Sequence, residues 1–149
     1  MATRADAGEV GALLHRFNTE FGDPSPGAKT LTRRVAELIQ RGDPSIFLLA
    51  GPRDIGVAVV RFREALFGDG LTGYLEELYV VSDRRREGHG RELMETAMRL
   101  ARERGATTME LGTAIEDTAA RGLFERLGFS NLEKRGDPSS QMLFYERSL

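Results

Sequence analysis

One junction constrains this chain more than any other stretch. "TGYLEELYVV", Thr72 to Val81, reads as a strand, a helical period begins at Gly88, and "SDRRREGHGREL", Ser82 to Leu93, joins the two. A strand running through a glycine-rich turn into a helix requires a layered α/β arrangement, because strand and helix must each bury one side against the other. Gly88 and Gly90 allow the backbone to come close to a ligand. The first amides of the helix are donors without intrahelical partners, and the helix dipole favours negative charge at that end. Arg84, Arg85, Arg86 and Arg91 add cations that can grip phosphate oxygens in bidentate fashion. The turn therefore suits a pyrophosphate, although a solvated basic turn that only starts a helix would look the same.

The rest of the chain extends this pattern. Val10, Leu13, Leu14, Phe17 and Phe21 recur at helical spacing over Asp6 to Phe21, where Asp6 and Glu9 can form a capping box. "GDPSPG" breaks that helix, and a second covers Thr30 to Arg41, stopped by Gly42. "SIFLLA" and "IGVAVVRFREA" read as strands joined by the hairpin signal "GPRD", and "FGDG" turns into the third strand. After the junction, Leu93, Met94, Ala97, Leu100 and Ala101 mark one helical face ending at Gly105. "TTMELGTA" is a strand, Glu116 to Leu127 a helix ending at Gly128, and "QMLFYERSL" a last strand. The expected fold is α/β (α+β), with a mixed, mostly antiparallel sheet flanked by helices, in a single domain spanning residues 1–149.

Composition narrows the partners. With 30% charged residues and a net charge of -2, the chain lacks the basic excess that a nucleic-acid binder needs, so nucleic acid is not expected as a partner. No apolar run reaches membrane-spanning length, and the N-terminus lacks the blocks of a signal peptide. The 149 residues include no cysteine, which excludes disulfides and thiolate catalysis and leaves the cytoplasm as the default expectation.

Two familiar phosphate motifs do not fit. In the dinucleotide fingerprint G-x-G-x-x-G the third glycine position is Leu93 here, and charged residues separate Val81 from Gly88, although Glu110 stands at about the distance of the ribose-binding acid. A P-loop fails for want of G-K-[ST].

The turn instead resembles one family. "RREGHG", Arg85 to Gly90, is similar to the [QR]-x-x-G-x-[GA] turn of the GNAT superfamily of N-acetyltransferases, and "DTAARGLFERLGF", Asp117 to Phe129, resembles that family's N-x-x-A-x-x-L-Y-x-x-x-G-F segment. The resemblance covers roughly Tyr74 to Phe129; the N-terminal helices match only in pattern, and the family's initial strand is missing or very short. It implies a GNAT fold with a splayed central strand pair that receives acetyl-CoA. Leu78, Tyr79 and Val80 then supply backbone groups to the pantetheine, and Arg85, Arg86, Glu87, Gly88, His89, Gly90 and Arg91 cradle the phosphates, mostly through main-chain amides. His89 departs from the apolar residue usual between the glycines and is expected to pack at the helix start.

Acetyl transfer requires a neutral amine. Presenting an alkylammonium of pKa about 10.4 deprotonated at pH 7 corresponds to about 4–5 kcal/mol, which a base or the surroundings must supply. "YLEEL" is similar to the YLED segment of the diamine acetyltransferase branch, whose first acid aligns with Glu76. Glu76 is accordingly the expected base and Glu77 a substrate contact or structural charge, with strand alternation placing the two on opposite faces.

Two positions depart from the family pattern. Its tyrosine, the proton donor to the departing thiolate, is Phe124 here and has no proton to give, and its asparagine is Asp117. Water, Tyr79 or Tyr145 can replace the donor, and a thiol of pKa about 8.5 is a tolerable leaving group.

The resemblance thus implies an acetyl-CoA-dependent N-acetyltransferase working through a ternary complex on a small-molecule primary amine, with no metal. Glu20, Asp23, Glu76 and Glu77 can attract a cationic acceptor such as a polyamine, an aminoglycoside or a lysine-like amino acid. The alternatives are a CoA-binding sensor weakened by Phe124, and a protein or peptide N-acetyltransferase. A homodimer through the edge of the last strand is a family expectation.

Overall fold

The computed structural model describes residues 1–51 and 55–131. The chain divides into two compact units, residues 1–111 and 112–149. The first begins with a short 3-10 turn, Arg4–Asp6, and two helices, α1 (Ala7–Phe21) and α2 (Ala28–Gln40). Then come β1 (Ile46–Ala50), β2 (Gly56–Glu64), β3 (Leu71–Val80), α3 (His89–Glu103) and β4 (Ala106–Leu111). In the second unit α4 spans Thr118–Arg126. The expected hairpin residues Pro52–Asp54, and "QMLFYERSL" with Tyr145 and the expected dimer edge, lie outside the described residues.

The sheet runs in the order β1-β2-β3-β4, with β1, β2 and β3 antiparallel and β4 parallel to β3. It is the mixed, mostly antiparallel sheet that the sequence predicts. The helices divide between its faces. Ala7, Val10 and Leu13 of α1 and Val35 of α2 are buried in one cluster with Phe47, Val57, Val59, Tyr79 and Val81. On the other face α3 lies against the strands, its Leu93, Met94, Ala97 and Ala101 all buried. A Cβ built on Gly73 would meet Val60 and Phe62 of β2 and Ala101 of α3, which fixes those residues on the α3 face. The α1–α2 crossing is close at Gly11, where an added Cβ would lie 2.5 Å from the Thr32 backbone nitrogen, so only glycine fits.

Helix ends follow the local chemistry, with one correction. Gly42 ends α2 with φ 69°, and the amides of Gly42 and Asp43 bond back to Ile39 and Leu38 at 3.2 and 3.0 Å. The capping box, however, is Thr3 with Asp6 rather than Asp6 with Glu9: the Asp6 carboxylate accepts from the Thr3 amide at 2.8 Å and from its hydroxyl at 2.7 Å. The chain enters α1 through a 3-10 turn, which moves the cap back by three residues. Before that turn the Ala2 amide donates to the Phe47 carbonyl at 2.7 Å. No strand precedes α1 among the described residues, as expected.

Candidate active site

Two irregularities of β3 coincide at its middle. Pairing with β4 runs from Leu71 opposite Ala106 to Leu75 opposite Leu111, and from Glu76 to Val80 no β4 residue stands opposite. Among the described residues that edge of β3 carries main-chain donors and acceptors without a strand partner, as a splayed central pair requires. On its other edge the register with β2 shifts between Val59 and Val60, so Val60 faces Leu75 while Val59 faces Glu77, and Glu76 is the extra, bulged residue.

The bulge changes which way the carboxylates point. Leu75 pairs with Val60 of the α3 face, whereas Glu77 pairs with Val59, which belongs to the α1–α2 cluster. Glu76 is bonded to Arg61, and the Arg61 guanidinium lies 6.0 Å from the ring centroid of Phe47, another member of that cluster. Both glutamates therefore occupy the α1–α2 face. Alternation alone would place them on opposite faces; the inserted residue resets the count.

Their surroundings then differ. Arg61 Nε donates to Glu76 Oε2 at 2.6 Å, while its Nη1 donates to Ser45 Oγ at 2.7 Å and lies 3.6 Å from Asp43. Ser45 also donates its hydroxyl to Asp43, and although burial opposes it, these bonds and the Arg61 charge hold Asp43 below the usual carboxylate range. Glu77 has no hydrogen bond or ion pair among the described residues, and it is half-buried. Burial first, then the charges of Glu76 and of Asp23 in the α1–α2 connection, push its pKa to about 7.

A second carboxylate on this face is committed. Glu20, near the end of α1, accepts from the Tyr79 hydroxyl and from Arg85 Nη2, both at 2.6 Å. The Tyr79 bond, and after it Arg85, hold Glu20 below the usual carboxylate range against the effect of burial. Burial and the same bond push the Tyr79 phenol up to about 12. Tyr79 is thus a structural tyrosine, and its proton is held inside the fold rather than available to a leaving group.

The turn after β3 combines conformation and charge. Gly88 has φ 94° and Arg86, unusually for a side-chain-bearing residue, φ 64°. A Cβ on Gly88 would meet nothing within 4 Å, so the space before the α3 amides is open and the glycine is required by its backbone conformation. No side chain caps the start of α3. These groups fit a pyrophosphate. Of the four arginines, three are engaged: Arg84 with Glu87 at 2.8 Å, Arg85 with Glu20 and with the Val80 carbonyl at 2.8 Å, and Arg91 with Glu95 at 2.7 Å. Arg86 carries no ion pair among the described residues. Glu87, paired with Arg84, is held below the ordinary carboxylate range. His89 packs at the helix start as expected, its side chain 18% exposed, with Nε2 3.4 Å from Glu87 but not in hydrogen-bond geometry. Gly90 lies in the first turn of α3.

Within the second unit, the Asp117 carboxylate caps α4 by accepting from the Ala120 amide at 2.9 Å. Phe124 stacks edge-on against Phe129 with ring centroids 6.0 Å apart, and the Phe129 amide bonds back to the Phe124 carbonyl at 3.0 Å. Sequence reading missed Arg61, Asp43 and Ser45. For Arg61 the signal is only a polar residue in an apolar strand, and for Asp43 and Ser45 only polar residues in the connection before β1; they gain meaning once the fold brings them to Glu76.

Known proteins share this architecture. A presumed acetyltransferase from Arthrobacter sp. FB24 is 41% identical, with a TM-score of 0.89 over 99% of this chain and 93% of that one. A predicted acetyltransferase from Clostridium acetobutylicum, solved with acetyl-CoA, superposes with a TM-score of 0.72 at 18% identity over 89% of each chain. An aminoglycoside acetyltransferase from an uncultured soil metagenomic sample, solved with sisomicin, does so with 0.75 at 17% identity over 99% of this chain and 93% of the other. At such identities the two show the fold alone. Among curated proteins, N-alpha-acetyltransferase 30 of Schizosaccharomyces pombe is 31% identical over 90 residues, which span 60% of this chain and 59% of that protein. Residues 12–129 match the acetyltransferase (GNAT) family, so most of α1, all of α2, the bulged strand and the glycine turn fall within the match, and the chain belongs to that family.

Proposed function

We propose that the chain is an acetyl-CoA-dependent N-acetyltransferase that acts on a primary amine of a small cationic molecule, with Glu77 as the general base. GNAT acetyltransferases use acetyl-CoA, which supplies the acyl thioester. The observation that carries the reading is the bulge at Glu76: it turns two adjacent carboxylates to one face and leaves one of them, Glu77, half-buried and unpaired. A base works best when its pKa lies near the working pH, and about 7 for Glu77 meets that condition. Glu76 is instead bonded to Arg61.

In this mechanism the ammonium of the acceptor approaches the α1–α2 face. Ionised Glu77, helped by Asp23 and Glu76, attracts it and takes one proton, directly or through a water, and the neutral amine attacks the thioester. The α3 amides and Arg86 hold the phosphates. The Val81 amide bonds to Ile55 on the β2 side, so by alternation the main-chain groups of Leu78 and Val80 point to the other edge, which is available to the pantetheine, and the Arg85 bond to the Val80 carbonyl fixes the end of β3. The departing thiolate takes its proton from water or from Tyr145, which lies outside the described residues, because the Tyr79 hydroxyl is committed to Glu20.

The relative named for N-alpha acetylation supports a second acceptor class, the amino terminus of a peptide. A thiol-release assay with acetyl-CoA and separate pools of polyamines, aminoglycosides, amino acids and short peptides decides between them, run beside a calorimetric titration with CoA. Release from a small-amine pool that Glu77→Gln abolishes while CoA binding persists supports the reading. Release from the peptide pool alone moves the acceptor to the second class. CoA binding with no release from any pool leaves a CoA-binding module that has lost catalysis.

A further inference from the structure

Arg61 sits in β2 opposite Tyr74, just past the register shift between Val59 and Val60 that turns Glu76 and Glu77 to the same face. Its guanidinium is fixed on several sides: Glu76 at 2.6 Å, the Ser45 hydroxyl at 2.7 Å, Asp43 at 3.6 Å and the Phe47 ring beneath. Ser45 is itself 9% exposed and tied to Asp43, so the anchor belongs to the folded framework and not to a mobile surface pair. Two neighbouring carboxylates on one face repel, and such a pair divides into one acid that ionises readily and one that resists. Arg61 determines which is which, because it reaches Glu76 and not Glu77.

We infer that Arg61 is a positioning residue: it holds Glu76 in a fixed ion pair, leaves Glu77 as the free proton acceptor on the α1–α2 face, and sets the pH at which Glu77 becomes active. The inference rests on the proposal that Glu77 is the base. Among the described residues, charged groups from several elements bear on this face, including Arg41 beside Asp43 and Arg16 beside Glu20. Glu76 of β3 and Asp23 of the α1–α2 connection repel the ionised Glu77. Arg61 of β2 is shared by Glu76 and by Asp43, which lies just before β1. Glu20 of α1 is neutralised by Arg85, with Tyr79 as its other partner. His15 of α1 is 2.8 Å from the Ser25 hydroxyl. Without Arg61, the Glu76 carboxylate would lose the bond that fixes its position beside Glu77.

The test needs no knowledge of the acceptor. The carboxyl carbon of Glu77 is followed by 13C NMR against pH in the wild type, Arg61→Met, Glu76→Gln and the double variant. Arg61→Met should raise the Glu77 midpoint by roughly half to one unit, and Glu76→Gln should lower it by a similar amount. The double variant should match Glu76→Gln alone, because Arg61 acts through Glu76. An unmoved midpoint in Arg61→Met, or a double variant that keeps the upward shift, overturns the inference. If Arg61→Met does not fold, Arg61→Lys keeps the charge without the fork, and an intermediate midpoint is expected; a wild-type one overturns the inference. Turnover separates the two levels. Arg61→Met should lose rate at pH 7 and recover it at pH 9, which loss of structure alone would not do. A Glu77→Gln enzyme with full turnover would instead overturn the general-base proposal, whatever the midpoints show.

Discussion

The glycine turn and the middle of β3 lie about ten residues apart, and both are dense in charge, yet they treat charge in opposite ways. In the turn, Arg84, Arg85 and Arg91 are each matched by a carboxylate, and among the described residues Arg86 has no such match. At the bulge, Arg61 matches Glu76 while Glu77 is left without a partner on a half-buried surface. The comparison teaches that charge density is a poor guide to a site. Exposed, paired charges contribute little beyond local order, whereas a desolvated and unmatched one has a free energy that a ligand or a proton can change. Each region has one odd charge, a cation where phosphate is expected and a carboxylate where an ammonium is expected.

Removing the odd carboxylate gives the largest expected effect. Glu77→Gln keeps shape and loses the base, so turnover should fall by about 10²–10⁴-fold with CoA affinity unchanged in calorimetry. Glu76→Gln should keep most of its turnover. Equal losses in both variants would mean that the carboxylates act as one unit and that the contrast between them is false. In the wild type kcat/KM should rise with pH through about 7 as Glu77 ionises. In Glu76→Gln the same limb should lie lower, because one of the repelling charges is gone.

At the turn the expected losses are smaller and concern binding. Gly88→Val forces a β-branched residue into φ 94°, which costs about 1–2 kcal/mol for an L-residue and displaces the α3 amides. CoA affinity should drop about tenfold or more, read by calorimetry. Arg86→Ala removes the unmatched cation and should weaken CoA several-fold, more at low salt than at high. Arg84→Ala and Arg91→Ala remove cations already held by Glu87 and Glu95, and should cost less. A loss from Arg84→Ala as large as that from Arg86→Ala would show that the observed pairs open to meet phosphate.

How much of this was legible in sequence follows from how local each cause is. The turn announces itself because glycine spacing, arginines and the change of period fall within one short stretch, and its geometry is set by those same residues. The four described strands and most helix ends are legible for the same reason. The facing of Glu76 and Glu77 is not, because it depends on one extra residue in β3 relative to β2, and no residue in "YLEEL" signals a bulge. The commitment of Glu20 to Tyr79 and Arg85 joins positions 59 and 65 residues apart and emerges only from the packing of α1 against β3. What sequence reads as four acids able to attract a cation is, in the fold, one carboxylate held by Tyr79 and Arg85, one clamped by Arg61, and Asp23 and Glu77 on the face where we propose that the acceptor binds.

The smallest effect tests the same contrast through stability. Glu77 has its pKa raised from about 4.5 to about 7 in the folded protein, so between those values the folded chain binds a proton that the unfolded chain has released. Stability is full below the ordinary carboxylate range, falls as pH rises toward 7, and stays reduced above it. Glu77→Gln has no charge to desolvate and should be more stable than the wild type at pH 8, by on the order of 1 kcal/mol once solvent screening of a half-exposed group is allowed for. The difference should vanish near pH 4. Denaturant unfolding at the two pH values measures it. Glu76→Gln should behave in the opposite sense, since it leaves Arg61 without its nearest carboxylate and relieves Glu77 only in part. If instead Glu77→Gln is the less stable protein at pH 8, Glu77 has a partner in solution and the unmatched carboxylate on which the general-base reading depends does not exist.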